Sequence, residues 1–424
     1  MRFILRTILI AVLFILFMGS SIRAGGLWLY EAGTPDLGTA GAGRAAMAKD
    51  ASTAGQNPAG MTRLDNSQIL AGAQALFPEV KFDTDESTFG GDNGGNAGYF
   101  TPTASLSYVH SMTSDFKLGL AVGTYFGAGL DYSDNWAGRY YLQQGKFITF
   151  GVNPVAAYRI NKYLSVGAGV SMVVSNYEAK SAIRNLEPGK GDGRLKFQDY
   201  DTGFGGNVGL LIEPREGTRF GITFRSKVDL EYEDEPDLND VGPLLKAALK
   251  KTGLDDAKLK LDMELPQSLM ASVYHEFTDR LSIMGNIGWQ NWSSFGNIDV
   301  SIDSANSTKA TQDLGYDDTY HFALGAQYRI AEPWLLSTGF AYDTSPADSG
   351  KERTPAMPLD RQIRAAAGVQ YKLNPDITLG LAYEYLDMGD AHINQKGGDL
   401  RGNLKGDYKK NRIQIIGLNV NWKF

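Results

Sequence analysis

From Ser67 to Phe424, apolar residues recur at every second position, separated by polar or small ones. Tyr320, Phe322, Leu324, Ala326 and Tyr328 share one face, opposite His321, Ala323, Gly325 and Gln327. Phe116, Leu118, Leu120, Val122 and Phe126 fall on one face, with Lys117, Gly119, Ala121, Gly123 and Tyr125 on the other. Ile377, Leu379, Leu381, Tyr383 and Tyr385 alternate in the same way with Thr378, Gly380, Ala382 and Glu384. Successive side chains of a strand point to opposite faces, so each segment predicts a strand with one greasy side and one polar or small side. Aromatics gather at segment ends, as in Tyr320 and Tyr328 or Trp334 and Tyr342. Such placement marks the two interfacial girdles of a transmembrane barrel. The predicted fold class is all-β, an antiparallel transmembrane barrel.

The connections alternate in length. Short turns fall near 113–115, 161–162, 214–216, 278–279, 331–333 and 374–376. Long ones fall near 78–97, 129–145, 185–193, 236–256, 304–315, 344–358 and 389–406. Short turns on one side and long loops on the other are the rule for outer-membrane barrels, and they bound about 14 strands, an even number. A soluble sandwich predicts no such rhythm. The last strand places Gln414, Ile416, Leu418, Val420, Trp422 and Phe424 on one face. A closing aromatic of this kind resembles the signal read by the barrel assembly machinery, so Phe424 is the candidate assembly signal and that machinery an expected partner.

Two segments depart from the period of two. Residues 241–251 have helical spacing, with Leu244, Leu245, Ala248 and Leu249 on one face and Lys246, Lys250 and Lys251 elsewhere. They predict a helix in the external loop near 237–256. Residues 25–64 are unusually small, including Gly33, Gly38, Gly41, Gly43, Ala45, Ala46, Ala48, Ala51, Ala54 and Gly55. A compact plug inside a barrel fits them. Ahead of it, Arg2 and Arg6 precede an apolar run from Ile8 to Met18 and then Ala24. That run is shorter than the ~20 residues of a spanning helix. It predicts a signal peptide over 1–24, leaving a hatch over 25–64 and a barrel over 65–424.

Composition narrows the chemistry. The chain has no cysteine, which excludes disulfides and thiolate metal sites. The formal charge of −7 becomes −10 once Arg2, Arg6 and Arg23 leave with the signal peptide, which argues against nucleic acid. A mean hydropathy of −0.25 is too low for a helical membrane protein. Gly41-Ala42-Gly43-Arg44-Ala45-Ala46 fits a dinucleotide fingerprint, but no strand precedes it and no βαβ unit follows. His275-Glu276 lacks a second histidine at helical spacing. No enzyme activity, cofactor or metal is expected.

A family resemblance rests on particular motifs. Gly38-Thr39-Ala40-Gly41-Ala42-Gly43-Arg44-Ala45-Ala46, continuing through Asn57-Pro58-Ala59-Gly60, resembles the N-terminal hatch of FadL-type outer-membrane transporters. Trp292-Ser293-Ser294-Phe295, Tyr342-Asp343-Thr344-Ser345-Pro346 and Asp360-Arg361 match in order farther along. The resemblance implies fourteen strands around a hatch, and uptake of long-chain fatty acids or aromatic hydrocarbons. It implies gating at Asn57, Pro58, Ala59 and Gly60, and an arginine, here Arg184, near a buried headgroup. A second basic residue expected before Leu314-Gly315-Tyr316 is replaced by Gln312. It also implies an inward kink in the third strand, for which Gly119, Gly123 and Gly127 are candidates, since glycine permits bulges; the same small residues could instead make room for the hatch. Leu244, Leu245 and Leu249 would collect ligand at the surface.

The expected function is uptake of a hydrophobic small molecule by passive diffusion through a hatch-gated barrel with lateral exit. A porin for polar solutes and a surface-binding or structural barrel are the alternatives. Outer-membrane lipids and lipopolysaccharide are expected neighbours, and the chain is expected to be a monomer.

Overall fold

The computed structural model describes residues 32–185, 187–252, 257–303 and 308–424. The expected signal peptide and the first residues of the plug lie outside the described residues. Fourteen long strands close into one antiparallel barrel. In chain order they are β1 (Gln68–Ser87), β2 (Thr101–Ser111), β3 (Phe116–Asp131), β4 (Gln144–Asn161), β5 (Leu164–Ile183), β6 (Gly193–Arg215) and β7 (Thr218–Arg225). Then follow β8 (Ser268–Glu276), β9 (Leu281–Gln290), β10 (Thr319–Ala331), β11 (Trp334–Asp343), β12 (Gln362–Lys372), β13 (Ile377–Asp387) and β14 (Asn403–Lys423). Each pairs with its neighbour over at least part of its length, and β1 pairs with β14 from Gln68↔Lys423 to Ser87↔Leu404, so the sheet closes on itself. Closure satisfies the backbone where no water is available to do so.

The period of two is expressed as burial. Tyr320, Leu324, Leu381, Tyr383, Leu418, Val420 and Trp422 face outward and are exposed, while His321, Gln327, Ala382, Glu384 and Asn419 face inward and are buried. Six turns of two to four residues lie at one barrel end with both termini of the strand series; seven longer connections lie at the other. Several strands outrun their expected ends, most of all β1, which continues ten residues past Phe77.

The long connections carry structure of their own. Segments Val228–Asp234, Lys258–Leu265, Asn297–Asp303 and Thr308–Asp313 form a separate four-stranded sheet, in the order Thr308–Asp313, Asn297–Asp303, Lys258–Leu265, Val228–Asp234. The loop helix runs over Pro243–Thr252. Leu245 and Leu249 join the core beside Val241, whereas Leu244 is 55% exposed. The single apolar face expected from 244, 245 and 249 is therefore split. Leu244 stands next to the helix start, where its N–H donates to Glu187 at 2.6 Å and its side chain turns to solvent.

Candidate functional site

Residues 32–67 fill the short-turn half of the lumen. They consist of turns, a short helix at Thr53–Gln56 and 3-10 turns at Pro35–Thr39 and Pro58–Arg63. Such irregular backbone inside a barrel needs hydrogen-bond partners from the wall. Inward side chains supply them. Gln74 accepts from Gly33 N at 2.9 Å, Asn286 accepts from Gly43 N at 2.8 Å, and Ser272 accepts from Ala45 N at 3.1 Å. Arg219 donates to Ala46 O at 3.0 Å and Arg225 to Gly55 O at 2.9 Å. The wall is glycine where the segment comes closest: a Cβ on Gly209, Gly221 or Gly339 would overlap Asn57, Ala45 or Thr39.

Asn57 is the joint of this segment. It is 1% exposed. Its Nδ2 donates to Ala45 O at 2.7 Å and to Leu210 O of β6 at 2.9 Å, while Oδ1 accepts from Ala59 N at 3.2 Å. Pro58 has no N–H to orphan and opens the next turn with its fixed φ. Ala59 and Gly60 are buried behind it, and a Cβ on Gly60 would run into Ala48. One side chain thus ties two parts of the segment to each other and to the wall.

The third strand breaks its own register. β2 pairs with β3 only from Ser111↔Lys117 to Ser105↔Gly123. Above that, Thr101–Leu76 to Ala104–Ala73 pair with β1 alone. On the other side the β3–β4 register shifts between Thr124 and Gly127. An unladdered seam therefore separates β2 from β3 between Gly123 and Gly129, where Tyr99 N meets Gly129 O at 3.4 Å and, two residues on, Asp131 N meets Ala97 O at 2.9 Å. The extra residue in the bulge inverts the alternation, and Phe126, expected outside with Val122, is fully buried inside. Thr149 replaces the missing ladder there: its Oγ1 accepts from Phe126 N and donates to Phe126 O, both at 3.0 Å. Gly127 closes the shifted stretch, Gly123 marks the last paired position, and Gly119 instead faces Met61 of the plug.

Phe126 begins an aromatic lining above the plug. Its ring centroid lies 5.4 Å from Phe147, 6.0 Å from Trp292 and 5.5 Å from Phe295. Phe147 continues to Tyr177, and Tyr177 to Phe197 and Tyr232. Trp292 and Phe295 come from the Trp-Ser-Ser-Phe motif, which folds as a short helix in a long connection. A narrow apolar cavity lies on the other side of the seam, between Thr101 and Gly127 and against Leu76, Val80, Leu130 and Ile413. Below the aromatics the lining turns polar. Asn153, Ser171 and Asn207 are buried, and both amide atoms of each asparagine and the serine hydroxyl meet no hydrogen-bond partner. Asn207 is the direct cross-strand partner of Arg225, which holds Gly55 O.

Other expected residues lie elsewhere. Arg184 follows the last residue of β5, is exposed, and packs its guanidinium 4.7 Å from the Phe89 ring. In β5 Ser171, Val173, Ser175 and Tyr177 face inward while Val170, Met172 and Val174 face outward, so Arg184 has the outward parity and sits at the rim, away from the lining. Phe424 is exposed at the short-turn end, donates its N–H to Ser67 O at 2.9 Å and stacks on Tyr108. Phe126, Thr149 and the buried amides were missed; only the glycines around the bulge hinted at them.

The family model for outer membrane protein transport proteins of the OMPP1/FadL/TodX type matches residues 15–424. The chain belongs to this family. Among relatives of the FadL/TodX family, the long-chain fatty acid transport protein of Escherichia coli O6:H1 is 26% identical over 430 residues, covering 95% of each chain. Outer membrane protein P1 of Haemophilus influenzae (strain Rd) is 26% identical over 452 residues, covering 95% of this chain and 96% of its own. The crystal structure of a Pseudomonas aeruginosa FadL homologue superposes with a TM-score of 0.85 at 22% identity, covering 94% of this chain and all of that one. The P. putida toluene transporter TodX superposes with a TM-score of 0.64 at 18% identity, covering 88% and 94%. As a FadL/TodX family member the chain is an outer-membrane transport protein, and its short turns face the periplasm.

Proposed function

We propose that this barrel takes up hydrophobic small molecules, fatty acids or hydrocarbons, by passive diffusion and releases them sideways through the β2–β3 seam. The observation that supports this most is the register shift at Thr124–Gly127, which leaves the seam without a ladder and sets Phe126 across its inner side. An apolar solute would be collected among the external loops and held on the aromatic lining. It would leave past Phe126 without crossing bulk water or the plug. In this reading 1–24 is a signal peptide, the plug up to Leu64 is a hatch, and Asn57 to Gly60 form its hinge. The chain performs no covalent chemistry. Assembly machinery reads the end at Phe424, and the finished monomer stands among outer-membrane lipids and lipopolysaccharide.

The chain has no native cysteine, so the seam can be tested cleanly. Ala104 and Thr124 are the next pair in the β2–β3 register beyond Ser105↔Gly123. A disulfide between Ala104→Cys and Thr124→Cys should stop uptake of a radiolabelled fatty acid or toluene in cells, with recovery on reduction. Undiminished uptake with the seam closed would remove the lateral route.

A further inference from the structure

On the periplasmic side of the plug two cations share one aromatic ring. Arg219 of β7 and Tyr274 of β8 are direct cross-strand partners. Both point into the barrel and are buried, at 1% and 0% exposure. The Arg219 guanidinium carbon lies 4.0 Å from the centroid of the Tyr274 ring, and the ammonium of Lys49, from the plug, lies 4.7 Å from the same centroid. Arg219 uses Nε on Ala46 O, but its Nη2 is buried and meets no hydrogen-bond partner. Lys49 donates to Gln327 Oε1 at 3.2 Å and is open to water at the short-turn mouth.

The surrounding carboxylates are mostly spoken for. Arg63 takes Glu213 and Arg329 takes Glu332. Glu276 acts on both Lys49 and Arg219 from a distance, while accepting from the Tyr274 hydroxyl at 3.0 Å. Lys49, Arg219 and Arg63 therefore share Glu276 and Glu213, and one positive charge is left over. A buried guanidinium with an unfilled N–H is costly unless an anion meets it, and an aromatic face compensates only part of that cost. The backbone keeps the arrangement in place: Ala48, just before Lys49, holds a left-handed φ of 43°, which an alanine adopts only when its surroundings enforce it.

We propose that Lys49 and Arg219 form a site for one anionic oxygen group, a carboxylate or a phosphate, that enters from the periplasmic mouth. The anion would bridge the ammonium and the free guanidinium N–H, joining the plug loop 46–49 to β7. The site is separate from the aromatic lining above the plug and stands or falls independently of lateral release.

The test follows the reactivity of Lys49 in the purified full chain, held in a neutral maltoside detergent. Amidination of Lys49 is timed by mass spectrometry, with exposed Lys162 of the β4–β5 turn as the control. Inorganic phosphate, octanoate and uncharged 1-octanol are the probes. Bound anion should slow Lys49 roughly three-fold or more, because a charge-assisted contact shields the amine. Lys162 should be unaffected, 1-octanol should have no effect, and Arg219→Gln should abolish the protection. Stronger protection by octanoate would identify a fatty carboxylate as the ligand; stronger protection by phosphate would identify a lipid headgroup or free phosphate. The wild-type comparison of octanoate with 1-octanol decides the matter even if Arg219→Gln does not fold. The proposal fails if neither anion slows Lys49, if 1-octanol protects as well as octanoate, or if Lys49 does not react at all.

Discussion

At the scale of single residues, Phe126 shows how one inserted position redirects a side chain. Period-two reading places it with Val122 on the lipid face, and the bulge turns it inward against Trp292 and Phe295. Phe126→Ala should clear the inner side of the seam. A core Phe→Ala change costs about 3–5 kcal/mol, which a closed fourteen-strand ladder can absorb. Initial uptake of toluene should rise several-fold, with Phe126→Leu close to the parent; a fall in both would make Phe126 part of the binding wall instead of a stopper. The glycines of β3 were legible in the sequence, but the bulge was not, since several neighbouring positions could host it and alternation carries no mark of an inserted residue. Arg184 was misplaced for a related reason: which parity of β5 faces the lumen decides its direction, and Arg184 shares the outward parity of Val170, Met172 and Val174. Lys49 gives a second residue-level expectation. Crowding by protein around the amine at the barrel mouth, which water still reaches from one side, then the Arg219 charge, with smaller contributions from Arg329 and Arg63, lower its pKa to about 8 against the opposing pull of Glu276. Its charge is present below that pH and is lost as pH rises through it. Sulfate, whose own charge is constant in this range, should bind about ten-fold more weakly at pH 9.5 than at pH 7, equivalent to one pKa unit of interaction. Calorimetry on Lys49→Met should show no such slope.

At the scale of elements, the plug depends on a few joints. Asn57→Ala removes the donor to Ala45 O and Leu210 O and the acceptor of Ala59 N. Three bonds, two of them buried, at about 0.5–1.5 kcal/mol each put the local loss at about 1.5–4.5 kcal/mol. The barrel strands lose none of their own ladder. Folded barrel, read by heat-modifiable migration, should persist while protease cuts appear within the plug and uptake falls; an unchanged cleavage pattern would show that Asn57 is not the joint. Deleting Phe424 tests the other terminus, where its N–H to Ser67 O is the last tie of β14. Less folded barrel in the outer membrane is expected. The strands and turns were legible because burial on two faces imposes a period and the turns interrupt it. The loop sheet was not, because its strands pair across different connections: Lys258–Leu265 joins both Val228–Asp234 and Asn297–Asp303. No local pattern specifies such a partnership. The small-residue plug could be inferred as compact, but its hydrogen bonds run to Gln74, Ser272 and Asn286, residues that the sequence shows only as generic lumen polarity.

At the scale of the whole molecule, the question is how much of the plug moves when solute passes. About a dozen hydrogen bonds and ion pairs join it to the wall, and at ~1 kcal/mol each their loss would cost on the order of 10 kcal/mol. Wholesale withdrawal would then be too rare to carry flux. A local shift is much cheaper. The helix Thr53–Gln56 lies against β3 directly below the seam, and Arg225 holds it at Gly55 O. Asn207 is the cross-strand partner of Arg225, so its unused amide lies beside the residue that holds Gly55 O and is placed to take over that tie as the helix moves. Gly55 offers a lock. A Cβ built there lies 3.1 Å from the Cβ of Ala121, a few tenths of an ångström inside the ~3.5–4.5 Å that a disulfide spans. The pair Gly55→Cys and Ala121→Cys should form a crosslink once the helix backs off the wall by about half an ångström. If the local shift opens the route to Phe126, oxidation should stop uptake and reduction should restore it. The crosslink should leave heat-modifiable folding unchanged and should not create the steady aqueous current of a porin in planar bilayers. Full uptake in the oxidised protein would make the plug a fixed floor beneath a permanently open seam, and Phe126 alone would then control release.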